Sequence, residues 1–153
     1  MLCGFVGSGK TTYSRRLEAA GCVRLSVDEL VYERHGRHGT DYDESEYPSH
    51  EAAALAELDQ RLRDLIAGSR DVVLDYGFWS KERRDRYKHL IERAGGRWRL
   101  LYFDHDLAEI RRRLEVRNRR GDANALVVTE RHLDEFLARW EPPRGEGEEV
   151  VER

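Results

Sequence analysis

A glycine-rich stretch, Gly4-Phe5-Val6-Gly7-Ser8-Gly9-Lys10-Thr11, stands almost at the start of the chain and fits the pattern G-x-x-x-x-G-K-[ST]. A polyphosphate carries several negative charges close together, so it is held by donors that approach without side-chain obstruction. Glycines at 4, 7 and 9 admit positive φ and leave the main chain bare, so successive N–H groups can point into one concave nest. A helix following the turn would aim its own free N–H groups and positive dipole end at the same phosphates. Gly7, Ser8, Gly9, Lys10, Thr11 and Thr12 are therefore the expected nucleotide-binding residues. Lys10 would reach the β- and γ-phosphates and the Thr11 hydroxyl would ligate Mg²⁺. The stretch predicts a nucleoside triphosphate site.

Phosphoryl transfer to a hydroxyl needs more than a cradle. It also needs a metal site, a base for the acceptor and cations for charge on the transferred group. Asp28, just after an apolar-polar alternation, is placed to orient and deprotonate an acceptor; its other reading is a helix N-cap, a role aspartate favours. Asp75, after Val72-Val73-Leu74, suits a second acid that holds Mg²⁺ directly or through water; its other reading is a turn residue or cap. Arg117-Asn118-Arg119-Arg120-Gly121 ends an arginine-rich helix at a break, where a lid would be hinged. Arg120 is the first choice for a cation closing over the γ-phosphate and Arg117 the second, against the reading of a solvated helix face. The six histidines show no metal-ligand spacing, and His35 and His38 read as solvent-exposed. Trp79 reads as packing beneath the following helix rather than as a stacking platform.

The elements that must position these residues follow from periodicity. A short apolar run precedes the loop, and Tyr13, Leu17 and Ala20 form one helical face that Gly21 stops. The loop begins at residue 4, which leaves a short first strand and leaves open whether residues precede Met1. Residues 23–27 alternate as a strand, with a short helix starting near Asp28. Residues 36–50 are polar with no helical period and predict a surface loop on the substrate side. Leu55, Leu58, Leu62 and Leu65 give a helix over 52–66, ended by Gly68. Residues 71–75 read as a buried strand, and Ser80 caps a helix whose inward face is Tyr87, Leu90, Ile91 and Ala94. A strand over 98–103 ends at Asp104, a helix runs from 107 to 120, and Thr129 caps a last helix stopped by Pro142-Pro143. Residues 144–153 form an acidic tail in which Val150-Val151 could add a fifth strand or be disordered.

Strands alternating with helices predict an α/β three-layer P-loop fold with a parallel sheet, read as one domain over 1–153 with a lid region at 111–128. Ligands in such sheets bind at the carboxyl ends of the strands, which gathers Asp28, Asp75 and Asp104 around the loop. Charged residues make up 37% and the formal charge is −3, which gives no global drive toward nucleic acid. Cys3 and Cys22 make neither a metal site nor a disulfide framework, and no run is long enough to span a membrane, so a cytoplasmic enzyme is expected.

GFVGSGKTT, LSVDEL, VVLDYGFWS and RNRRG stand in an order that resembles the polynucleotide-kinase-like group of small P-loop kinases. The same motifs are similar to those of AAA-type ATP-binding, zeta-toxin-like and chloramphenicol phosphotransferase-like kinases. The resemblance covers about residues 2 to 140. It implies strand order 2-3-1-4-5, ATP with Mg²⁺, Asp28 as catalytic base, Asp75 as second acid and Arg120 as lid arginine. Two departures bear on the acceptor. Val27 stands where the nucleic-acid members carry a basic residue, and Tyr76-Gly77-Phe78-Trp79 replaces their Asp-Thr-Asn-like turn. The expectation is a kinase that phosphorylates a hydroxyl of a small metabolite, nucleoside or antibiotic. The alternatives are a polynucleotide 5′-hydroxyl kinase and a regulatory ATPase that binds a protein partner.

Overall fold

The short apolar runs and the alternating stretch read as strands from the sequence are strands in a computed structural model described for residues 1–104, 106–118 and 128–151. The elements run β1 (Leu2–Gly4), α1 (Lys10–Ala19), β2 (Val23–Ser26), α2 (Val27–His35), α3 (Tyr47–Ala67), β3 (Val72–Asp75), α4 (Lys81–Arg93), β4 (Leu100–Phe103), α5 (Leu107–Asn118), α6 (Glu130–Arg139) and β5 (Glu148–Val150). All strand pairs are parallel: β2 with β3, and β1 with β4, which pairs in turn with β5. β1 and β3 touch, but among the described residues they form no ladder, so the two ladders meet side by side. The tail thus contributes a strand, Glu148–Val150, to the edge beyond β4.

Period-2 alternation sends neighbouring strand residues to opposite faces. Cys3, Leu25, Leu74 and Leu100 join the cluster formed by Leu30 and Val31 of α2, Leu58 and Leu62 of α3, and Tyr87 and Ile91 of α4. Leu2, Val73 and Phe103 face the other way, against Tyr13 and Leu17 of α1. A third cluster joins Phe5 to Ile110 and Leu114 of α5, with Val128 and Leu133. Helices therefore cover both sheet faces, which is the three-layer arrangement expected.

Several boundaries differ from the sequence expectation for physical reasons. The loop expected over 36–50 ends early, because α3 starts at Tyr47 and a 3₁₀ turn occupies Glu44–Glu46. Pro48 sits in the first turn of α3, where its missing N–H has no partner to lose. Gly68 closes α3 with φ −81°, and the left-handed residue is Ser69 at φ 54°. β4 begins at Leu100 rather than Trp98. Helix α5 is described as far as Asn118, and residues 119–127, the rest of the region expected to form a lid, lie outside the described residues. Among the described residues no helix is long and apolar enough to cross a membrane.

Candidate active site

The glycine-rich loop joins β1 to α1, and its three glycines do different work. Gly7 and Gly9 have φ +80° and +95°, conformations that other residues rarely adopt. Gly4 needs its size instead: a Cβ there would lie 2.8 Å from Phe103 Cβ and 2.7 Å from Ser8 Oγ. Glycine admits positive φ at all three, but at Gly4 it serves instead the close approach of β1 and β4. Ser8 is buried, and its N–H donates to Phe5 O at 3.1 Å. Gly9 caps α1, so the first-turn N–H groups of Lys10, Thr11 and Thr12 open toward the nest. Lys10 lies inside the loop and donates from Nζ to Gly4 O at 2.7 Å and Phe5 O at 2.8 Å.

Asp75, the last residue of β3, faces α1 across the sheet. Its Oδ1 lies 3.5 Å from Thr11 Oγ1, and its Oδ2 is 2.8 Å from Ser14 Oγ. The buried guanidinium of Arg24, on the neighbouring strand β2, donates to the same Oδ2 from Nη2 at 2.6 Å. Arg24 also pairs with Glu29, which burial pushes toward neutrality but whose hydrogen bond from Arg24 lowers its pKa overall. Thus Oδ2 is committed to the scaffold while Oδ1 points to the Thr11 hydroxyl. Two hard oxygens side by side, next to the glycine-rich loop, fit Mg²⁺, which takes one or two protein oxygens together with phosphates and water. The turn-or-cap reading of Asp75 does not hold; it lies in the strand register opposite Ser26.

Asp28 sits in the first turn of α2, directly after β2. The N-cap of that helix is Ser26, whose Oγ accepts from Glu29 N at 3.4 Å, so capping does not occupy Asp28. Its exposed carboxylate accepts a hydrogen bond from Tyr47 Oη at 3.1 Å. Burial and the neighbouring Asp28 charge raise the pKa of Tyr47, so the phenol keeps its proton and remains a donor. One turn further along α3, Glu51 accepts from Tyr76 Oη at 2.8 Å. One face of α3 thus ties the end of β2 to the end of β3.

A family model described as an AAA domain (AAA_33) matches residues 1–143. The chain belongs to this AAA-domain family. No curated protein matches it by sequence. Among solved structures, a putative kinase from Chloroflexus aurantiacus j-10-fl is 17% identical, with TM-score 0.71 over 98% of this chain and 86% of that one. A gluconokinase from Sinorhizobium meliloti 1021 is 22% identical, with TM-score 0.63 over 98% and 79% of the two chains. Chaetomium thermophilum Kti12, solved in complex with ADP-AlF3, is 19% identical, with TM-score 0.65 over 98% and 86%. At these identities the likeness is one of fold, and the fold is that of small P-loop kinases.

The sequence-predicted residues of this AAA-domain chain fall into two groups. Lys10, Thr11, Asp75 and the loop glycines come together at the start of α1, with Thr12 exposed in its first turn. Asp28 joins α3 through Tyr47. Arg117 lies in the last turn of α5 and Arg120 lies outside the described residues. Asn118 binds the backbone of Val128 in both directions, at 2.9 and 3.1 Å. Arg113, in the same arginine-rich helix, lies against the loop: its Nη1 is 3.5 Å from Ser8 O and would be 3.6 Å from a Cβ at Gly9. Sequence reasoning missed it because five other arginines share that segment. His35 and His50 were not expected to meet, yet their rings stack at 3.6 Å, and His38 packs edge-on to Tyr47. Trp79 is not packed beneath α4; it is 39% exposed, with the Arg83 guanidinium 5.4 Å from its ring centroid.

Proposed function

We propose that this chain is an ATP-dependent kinase that transfers the γ-phosphoryl group to a hydroxyl of a small acceptor in the cytoplasm. The observation that supports the reading most is the pairing of a phosphate cradle with an aspartate, Asp28, that caps no helix and stands at a strand's carboxyl end. In this reading the bare N–H groups of the loop and of α1 bind the phosphates. Lys10 exchanges its loop carbonyls for β- and γ-phosphate oxygens. Thr11 and Asp75 would hold Mg²⁺, which when bound offsets charge on the phosphoryl group. Asp28 orients the acceptor hydroxyl and takes its proton as the new O–P bond forms and the bond to the ADP oxygen breaks. Tyr47 fixes the rotamer of that carboxylate. Arg120, or Arg117 as second choice, would meet charge on the transferred group from the lid.

Asparagine at position 28 keeps size and hydrogen bonding to Tyr47 but cannot accept a proton. Asp28→Asn should fold and bind Mg·ATP normally while acceptor-dependent ADP release falls by roughly 10²-fold or more. The assay uses a panel of hydroxylated metabolites, nucleosides and antibiotics, with an oligonucleotide bearing a 5′-hydroxyl as a further member. Release that rises only with the oligonucleotide would establish a polynucleotide kinase. Release indifferent to every acceptor would establish a regulatory ATPase instead.

A further inference from the structure

Helix α4 carries a row of cations, and most are consumed by the fold. Lys81 pairs with Asp85, Arg84 with Glu146, Arg86 with Asp59, and Lys88 with Glu146. Arg83 is different. Its side chain is 24% exposed, and its ion pair, from Nη1 to Glu51 Oε1, is loose at 3.8 Å, beyond hydrogen-bond distance. Among the described residues its guanidinium has no hydrogen-bond acceptor at all; the hydrogen bond it makes comes from its backbone N–H, to Ser80 Oγ. Glu51 is already engaged by Tyr76 Oη.

The plane of Arg83 is nevertheless fixed. Its guanidinium carbon lies 4.6 Å from the centroid of Tyr76 and 5.4 Å from that of Trp79, within cation–π range of both. A half-buried fork of five N–H donors, set against two aromatic rings, loosely paired with Glu51 and with no hydrogen-bond acceptor among the described residues, is pre-organised for a planar or tetrahedral anion. Its location is as telling as its state. Tyr76 and Trp79 follow Asp75 directly, so the fork stands at the carboxyl end of β3. Tyr47 and Glu51, on one face of α3, connect it to Asp28 through the two phenol–carboxylate hydrogen bonds.

We infer that Arg83 seats an anionic group of the acceptor, so that the substrate of this site is a hydroxylated acid or a phosphate ester carrying a free hydroxyl. The inference rests on the kinase reading for the position of the acceptor. The negative charges of Asp28 and Glu51 line the same wall, so the anion must meet the fork and the reactive hydroxyl must meet Asp28. Both ends of the acceptor are then fixed at once, as productive orientation requires. An uncharged polyol would leave the fork unmatched.

The test compares matched sets at fixed ionic strength: D-glucose, D-gluconate and D-glucose 6-phosphate, and D-ribose, D-ribonate and D-ribose 5-phosphate. Binding is followed by calorimetry in the presence of Mg²⁺ and a non-hydrolysable ATP analogue, and transfer by ADP release with ATP. An anionic member should bind at least about 10-fold more tightly than its neutral counterpart, the scale of a charge-assisted fork. Carboxylate and phosphate arms separate the two sources of that charge. Arg83→Gln should erase the preference with Mg·ATP affinity unchanged, and Arg83→Lys, which keeps charge without the fork, should retain part of it. The inference is overturned if no anionic member exceeds its neutral counterpart in the native protein, or if the preference survives in Arg83→Gln. An Arg83-dependent preference without phosphoryl transfer to any member would sink the kinase reading while leaving the anion seat in place.

Discussion

Lys10 donates to the carbonyls of Gly4 and Phe5, so the cation expected at the phosphates is stored inside the loop it serves. A compact ammonium with three donors can exchange carbonyl oxygens for phosphate oxygens without a particular plane of approach. Methionine keeps the length of the side chain and removes those donors. Lys10→Met should therefore retain the fold and lose Mg·ATP turnover by roughly 10²-fold or more, measured as ADP release. Native turnover in that variant would mean that the loop cradles no phosphate. Asp75 shows a related division within one carboxylate: Oδ2 is bound by Ser14 and Arg24, while Oδ1 faces Thr11. A buried arginine thus sets which oxygen of the acid is presented.

At the scale of elements, the loop is held between α1 behind it and α5 beside it. Gly7 lies against Leu114: a Cβ there would stand 3.2 Å from Leu114 Cδ2, at a backbone angle of φ +80°. Arg113 reaches the loop from the preceding position on the same helix. Two costs would fall together on Gly7→Ala, left-handed strain of about 1–2 kcal/mol and displacement of α5. The expected result is a melting temperature lower by several degrees, together with weaker binding of a fluorescent ATP analogue. Gly21→Ala is the control, since φ there is +104° but a Cβ would meet nothing within 4 Å. If both variants lose stability equally and neither loses nucleotide binding, α5 does not buttress the loop.

For the molecule as a whole, the tail matters more than its composition suggests. Arg84, fully buried in α4, grips Glu146 with Nε and Nη2 at 2.9 and 2.7 Å, and donates from Nη1 to the carbonyls of Phe78 and Glu141. Lys88 adds a contact to the same carboxylate. This clamp anchors β5 and holds the segment after β3 that carries Tyr76 and Trp79. The hydrogen bonds from Arg84 hold the Glu146 carboxyl below its usual range, against the upward push of burial. A lowered carboxylate pKa gives stability that is fully present above the unfolded value, about 4.3, and that is lost as pH falls through the lower folded value. Glu146→Gln should lose about 3–5 kcal/mol at neutral pH, because Arg84 remains buried without its partner. In urea titrations the gap between native and variant proteins should narrow below about pH 4, where the native carboxylate also becomes neutral. A gap of constant size down to acid pH would remove the clamp from the account of stability.

The sequence by itself determined the glycine-rich loop, the alternation of strands and helices, and the acids that stand just after β2 and at the end of β3. These are local matters: glycine spacing sets the backbone angles at Gly7 and Gly9, and apolar periodicity sets which face of each element is buried. It also carried Thr129 as a helix cap and Gly21 as a helix stop, since both act within a few residues. It left Asp28 divided between cap and base, and only the fold showed Ser26 in the capping role and Tyr47 on the carboxylate. Arg24 on Asp75, Arg113 on the loop and Arg84 on Glu146 were beyond reach for one reason. Their partners lie 51, 105 and 62 positions away, and a chain rich in arginine does not reveal which guanidinium will be buried. The tertiary structure decided those pairings, because the energy of an ion pair depends on distance and burial, and the linear sequence encodes neither directly.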